Sequence, residues 1–178
     1  MEGIVPLFKS HCSLGRSILT LEKPKDEADT ETSDSVFDIV KQENLEDVFL
    51  VEDNMTGFLQ AYTNAEELGV KLVFGLRITF CPDHANKSEE GRKNSYKNII
   101  FAKNNAGYKQ LIKIYTHASQ DGFYYEPRTD NAKFKEFYTD DLMLATPFYD
   151  SFLYVNKYTD SSCVPDFSFC DPIFFVED

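Results

Sequence analysis

Short apolar runs alternate with longer stretches whose apolar residues recur every three or four positions. Ile4 to Phe8 reads as a short buried strand, followed by a small polar turn, Ser10 to Ser17, around Gly15. Ser35 can cap a helix whose Val36, Phe37, Ile39 and Val40 face one way. Asp47 to Val51 is nearly continuous in apolar residues, as suits a strand covered on both faces. Phe58 to Leu68 has helical spacing in Phe58, Leu59, Tyr62, Ala65 and Leu68, and Gly69 stands where a left-handed C-cap is wanted. Val70 to Phe74, Gly75 and Leu76 to Phe80 predict strand, break and strand. Asn98 to Ala102 is a further strand. Asn104 to Gln120 is the strongest helix, with Leu111, Ile112, Ile114, Tyr115 and Ala118 on its period, and Gly122 ends it. A short helix over Phe134 to Tyr138 and a strand over Asp141 to Ala145 follow. Residues 22–35 and 82–95 are polar surface loops, and residues 146–178 form a tail of aromatics, Pro and Asp without an assignable element.

The repeated strand–helix rhythm predicts an α/β fold with a mainly parallel sheet or barrel. The 178 residues suit one domain, 1–178, and 42% hydrophobic residues are enough for a core, which argues against wholesale disorder. The formal net charge of −12 and the absence of a Lys/Arg cluster argue against strong direct binding of DNA, whose affinity comes mainly from phosphate neutralisation. No apolar run reaches transmembrane length, so no membrane partner is expected. Cys12, Cys81, Cys163 and Cys170 form no C-x-x-C pair, so a structural zinc site is not indicated. With no leader pattern at the start, reduced thiols and a cytoplasmic location are the expectation.

The histidines His11, His84 and His117 share no ligand spacing and read as surface or satisfied residues. Cys12 beside His11 suggests a nucleophile pair, but sequence neighbours rarely point at each other and no third orienting group is evident.

Three blocks, in order and in register, carry a resemblance. The first is Leu7-Phe-Lys-Ser-His-Cys-Ser-Leu14. The second is Phe49-Leu-Val-Glu-Asp-Asn-Met-Thr-Gly57 with the helix after it and Val70-Lys-Leu-Val-Phe-Gly75. The third is Asn98-Ile-Ile-Phe-Ala-Lys-Asn-Asn-Ala-Gly-Tyr108, then Leu111-Ile-Lys-Ile114 and Gly122-Phe-Tyr-Tyr-Glu-Pro-Arg128. Together they resemble the PHP (polymerase and histidinol phosphatase) domain found at the N-terminus of the bacterial replicative DNA polymerase III alpha subunit. The resemblance covers Ile4 to Ala145. It implies a distorted seven-stranded (β/α) barrel of PHP type, here incomplete or trimmed, because the family's last ligand strand with its Asp-x-His is not seen.

The resemblance also implies a site. Active members hold two or three metal ions on His, Asp and Glu at strand ends, generating a hydroxide for phosphoester hydrolysis. Here it places Leu7 and Lys9 at the His-x-His pair, Arg77 at the Glu of the third strand and Lys97 at the His opening the fourth. An apolar side chain and three cations do not ligate metal, and guanidinium does not deprotonate. His11, Glu52 and Asp53 are the surviving ligand types. Lys9, Arg77 and Lys97, if they converge, would supply fixed positive charge in place of the ions and pair with Glu52 or Asp53; the same cations could instead bind a phosphate.

No cofactor and no catalytic residue is therefore expected. The leading expectation is a non-catalytic structural domain of a C-family replicative DNA polymerase, partnered by the rest of the polymerase chain or by a replication protein. One alternative is a metal-dependent phosphoesterase or 3′–5′ exonuclease, using zinc or manganese at a site rebuilt around His11, Glu52 and Asp53. Another is a stand-alone, even viral, protein-binding module, which an exposed apolar patch over Val164 to Val176 would favour. In Gly122 to Arg128 the expectation is structural: packed aromatics, with Arg128 bracing the turn.

Overall fold

In a computed structural model of the chain, residues 5–9 and 36–176 are described, with backbone only at Lys9. The Ser10–Ser17 turn, the 22–35 loop, Ser35, His11 and Cys12 lie outside the described residues. Seven strands and six helices alternate among them: β1 (Leu7–Lys9), α1 (Val36–Gln42), β2 (Asp47–Glu52), α2 (Phe58–Leu68), β3 (Lys71–Phe80), α3 (Glu89–Lys93), β4 (Tyr96–Ala102), α4 (Asn105–Gln120), β5 (Arg128–Thr129), α5 (Asn131–Phe137), β6 (Leu142–Pro147), α6 (Phe152–Tyr158) and β7 (Ile173–Phe175). The α/β class read from the sequence holds. The chain divides into two compact units, residues 1–75 and 76–178.

In the first unit β1 pairs in parallel with β2, Leu7 opposite Phe49 and Lys9 opposite Val51. The near-continuous apolar run of β2 is buried from Leu50 to Glu52, which explains its lack of alternation. α2 has the predicted bounds, and Gly69 closes it in the left-handed region at φ 69°, its N–H bonded to carbonyls of the last turn. Its buried face differs from the prediction. Ala61, Asn64 and Ala65 are buried, whereas Leu59 and Tyr62 are exposed. Tyr62 instead donates to Glu66 one turn on, at 2.7 Å.

In the second unit β3 pairs in parallel with β5, Thr79 opposite Arg128, and β6 with β7, Ala145 opposite Ile173. β4 and β6 run antiparallel, Ile99 opposite Ala145, which adds an antiparallel pair to a sheet whose other described pairs, β1–β2, β3–β5 and β6–β7, are parallel. The buried aliphatic run of β4 meets that of β6, and Thr146 donates to Asn98 across the pair at 2.9 Å, both residues buried. α4 starts at Asn104, whose side chain accepts from the N–H groups of Ala106 and Gly107. Leu111, Ile114 and Ala118 of its predicted stripe are buried, together with His117, while Ile112 is exposed.

Three further expectations are corrected. β3 runs unbroken through Gly75, which is buried in the strand interior. The 82–95 loop contains α3, capped by Ser88 accepting from the Gly91 N–H. The tail holds α6 and β7, and β6 itself continues to Pro147. Sparse aliphatics hid the two tail elements, where aromatic contacts supply packing: Phe152 of α6 contacts Tyr96 and Phe167, and Phe174 of β7 lies edge-on to Phe167.

Candidate functional site

Arg77 sits within β3 and Lys97 at the start of β4. Their partners are carboxylates that the sequence reading did not single out. Arg77 Nη1 lies 4.0 Å from Asp150, and Lys97 Nζ lies 3.5 Å from Glu126, which also accepts from the Thr79 hydroxyl at 2.9 Å. Asp150 serves both positions, since its backbone carbonyl accepts the Lys97 N–H at 2.7 Å. The two cations are thus tied around Asp150 and Glu126. All four side chains keep a quarter or more of their surface exposed, so each pair contributes about 1 kcal/mol or less.

The remaining positions belong to the first unit. Leu7 is half-buried in β1, and Lys9 ends that strand. Glu52 ends β2 with its side chain buried, and Asp53 next to it is exposed. His11 lies outside the described residues, so its relation to them is not part of the fold as described.

A second group of chemically able side chains gathers in the second unit, one that sequence spacing did not indicate. Asp83 and His84 follow β3, Asp130 precedes α5, and His117 lies in the last turn of α4. Asp130 is the hub. One carboxylate oxygen accepts the Lys133 N–H at 2.7 Å and so caps α5; the other accepts the backbone N–H of His84 at 3.1 Å and makes a short contact with His84 Nδ1. Burial acts to raise the Asp130 carboxyl, but the hydrogen bonds from Lys133 and His84 outweigh it and hold the group below its ordinary value. One donor atom from each of Asp83, His84 and Asp130 lies within 4.8 Å of the others. The His84 ring packs edge-to-face on that of His117, with centroids 4.7 Å apart.

Arg128 holds this region in place. It is fully buried, and it donates from Nε to the Gly122 carbonyl at 3.1 Å and from Nη2 to the carbonyls of His84 and Asn86. The expected bracing role is what the contacts describe, with Tyr124 covering the guanidinium at 5.1 Å. The expected packing of the aromatics holds in part, since Phe123 and Tyr125 are largely exposed. Gly122 is required by close approach: a Cβ there would stand 1.9 Å from the Arg128 carbonyl oxygen. Beside the cluster, burial pushes the Cys81 thiol up to about 11, so at neutral pH it is a protonated donor, bonded to the Thr129 carbonyl, rather than a nucleophile. The signal that could have revealed the cluster was Asp130 itself, an N-cap residue two positions after Arg128.

Comparison with known proteins follows the same lines. The sequence profile of the PHP domain matches residues 29–157. The DNA polymerase III subunit alpha of Borreliella burgdorferi is 34% identical over 79 residues, covering 43% of this chain and 7% of that protein. The corresponding subunit of Helicobacter pylori is 34% identical over 83 residues, covering 47% and 7%, and that of Aquifex aeolicus 32% over 84 residues, covering 43% and 7%. The match thus spans only 7% of these relatives' length. A solved structure described as a metal-dependent phosphoesterase from Bifidobacterium adolescentis overlaps 47% of this chain and 27% of its own, at 18% identity and a TM-score of 0.28, too loose a likeness to argue from. Alternating strands and helices, seven and six among the described residues, accord with a PHP-type (β/α) barrel. Among the described residues, no helix is long and apolar enough to cross a membrane.

Proposed function

The chain belongs to the PHP domain family, and on that premise we propose that it is a structural PHP domain of a replicative C-family DNA polymerase, without the family's metal-dependent hydrolysis. One observation carries the reading: Arg77 and Lys97, at positions where the resemblance implies a Glu and a His, are tied to Asp150 and Glu126. A metal cluster needs neutral imidazoles or carboxylates converging on one point. Cations held there by the domain's own carboxylates replace the ions' positive charge and repel any that approach. The scaffold is kept while the chemistry is lost. The relatives are subunits of a polymerase, and the chain corresponds to 7% of their length. On this reading nucleotidyl transfer belongs to other parts of such a protein, and this domain serves by packing against the polymerase chain or a replication partner in the cytoplasm.

A specific feature supports a role in contacts with other protein. Val164, Ile173, Phe174 and Val176 are all exposed by about half or more. Exposed apolar side chains concentrated in one stretch are the usual mark of a surface that another chain covers. The same feature serves the reading of a stand-alone binding module. Co-expression with the rest of a PHP-bearing polymerase distinguishes the two, since only a polymerase domain restores a complex active in primer extension.

The test of lost chemistry is hydrolysis of bis-p-nitrophenyl phosphate and of 3′-ended single-stranded DNA by the purified chain with manganese or zinc. The expected result is no turnover above the metal-only background. Turnover that disappears in Asp53→Asn or His11→Gln would overturn the proposal in favour of a rebuilt phosphoesterase site.

A further inference from the structure

The Asp83–His84–Asp130–His117 group has a feature that hydrogen bonding within the domain does not account for. His117 is nine-tenths buried, and its Nε2 has no hydrogen-bond partner. Its Nδ1 is held by Asp121 at 3.0 Å, on the exposed side of the helix end. A carboxylate on Nδ1 fixes the proton there and leaves Nε2 as a bare lone pair on the buried side of the ring. A buried lone pair of this kind is one that a partner satisfies. The pattern of a carboxylate on one imidazole nitrogen and a free lone pair on the other is the arrangement that prepares histidine for a metal ion.

The His84 ring packs against that of His117, and its Nδ1 meets an oxygen of Asp130, so that these two atoms face one point as a pair of ligands would. Asp83 adds an exposed carboxylate, one oxygen of which accepts the Ala85 N–H at 2.9 Å and leaves the other uncommitted. Two imidazoles and two carboxylates form a nitrogen–oxygen donor set whose charge a divalent ion balances. At metal–ligand distances of about 2.0–2.2 Å, donors on one ion stand roughly 3–4 Å apart. The 4.8 Å limit covers Asp83, His84 and Asp130, so one ion needs a small inward turn of these side chains and a turn of the neighbouring His117 ring that brings Nε2 to them. The backbone beneath is fixed, because Arg128 holds the carbonyls of His84 and Asn86 and Asp130 caps α5. None of these residues coincides with a position implied by the family resemblance.

We propose that His84, His117, Asp83 and Asp130 form a zinc site within the second unit, distinct from the family's metal positions. The ion fixes the segment after β3 to the end of α4 and the start of α5. It is a structural site, since four protein ligands leave no open position for water activation.

The experiment is calorimetric titration of the full chain with zinc chloride. One equivalent is expected to bind, with affinity falling roughly a hundredfold or more in His84→Ala and at least tenfold in His117→Gln, while His11→Gln and Asp53→Asn leave it unchanged. Absence of binding, or binding that survives His84→Ala, would overturn the proposal. A measurement on the unaltered chain guards against a variant that fails to fold. Long-range nitrogen–proton spectra resolve the three histidines, and zinc should move the imidazole signals of His84 and His117 but not of His11. Movement of His11 alone would overturn this site and, separately, the proposal that the family's site is lost.

Discussion

The two charged groups of the second unit are built on different physical terms. Around Arg77 and Lys97, long cationic side chains reach part-exposed carboxylates at 4.0 and 3.5 Å, in pairs that solvent screens. Around Asp130, a buried carboxylate collects two backbone N–H groups and an imidazole, over a buried guanidinium bonded to three carbonyls. The first group neutralises charge and asks little of the fold. The second is woven into it. Two positions where the family resemblance implies metal ligands, Arg77 and Lys97, carry part-exposed ion pairs, while imidazole and carboxylate side chains gather where the resemblance predicts none.

That contrast fixes the order of mutational effects. Arg128→Ala empties a fully buried site and removes the donors to the carbonyls of Gly122, His84 and Asn86, and should destabilise the chain by about 3–5 kcal/mol in urea unfolding; a loss under 1 kcal/mol would mean the brace is dispensable. Gly122→Ala drives a methyl into the Arg128 carbonyl, and a drop in stability of about 2 kcal/mol or more is expected. Asp130→Ala removes a helix cap and the His84 contact together, an expected loss of about 2–3 kcal/mol.

The Asp130 contribution has a pH signature. Its folded value lies below the ordinary carboxylate value of 3.8. The stabilisation is therefore complete above that value and is lost as pH falls from there through the lowered folded value. The acid limb of a stability–pH curve should flatten in Asp130→Asn. Arg77→Ala and Lys97→Ala should each change stability by about 1 kcal/mol or less, and the difference should shrink in high salt. A loss comparable with that of Arg128→Ala would erase the distinction between the two groups.

Much of this architecture was legible in the chain. α2 and α4 were bounded to within a residue because their caps, Gly69 and Asn104, have one clear physical role each. β2 and β4 were visible as apolar runs. The antiparallel pairing of β4 with β6 was not, because pairing direction leaves no mark on either strand. α2 misled in its face: Leu59 and Tyr62 keep helical spacing with Ala65, yet small Ala61 and Ala65 make the close approach and the larger side chains stay outside. That Leu7, Arg77 and Lys97 stand where the resemblance implies ligands was readable in the chain, but Asp150 and Glu126, which meet Arg77 and Lys97, lie far from them in sequence. The Asp130 cluster was invisible for the same reason, since Asp83 and His84 lie 46 or more residues before Asp130, and only the fold makes them neighbours.

The central claim is that the family's metal positions hold fixed cations and no ions. It is tested most directly by titrating zinc and manganese into the chain carrying His84→Ala and His117→Gln together, with circular dichroism to show that the fold persists. The account predicts no stoichiometric binding of either metal once the second group is disabled. Tight residual binding that is abolished by adding Asp53→Asn would contradict it, and would return the ions to the strand ends where the family keeps them.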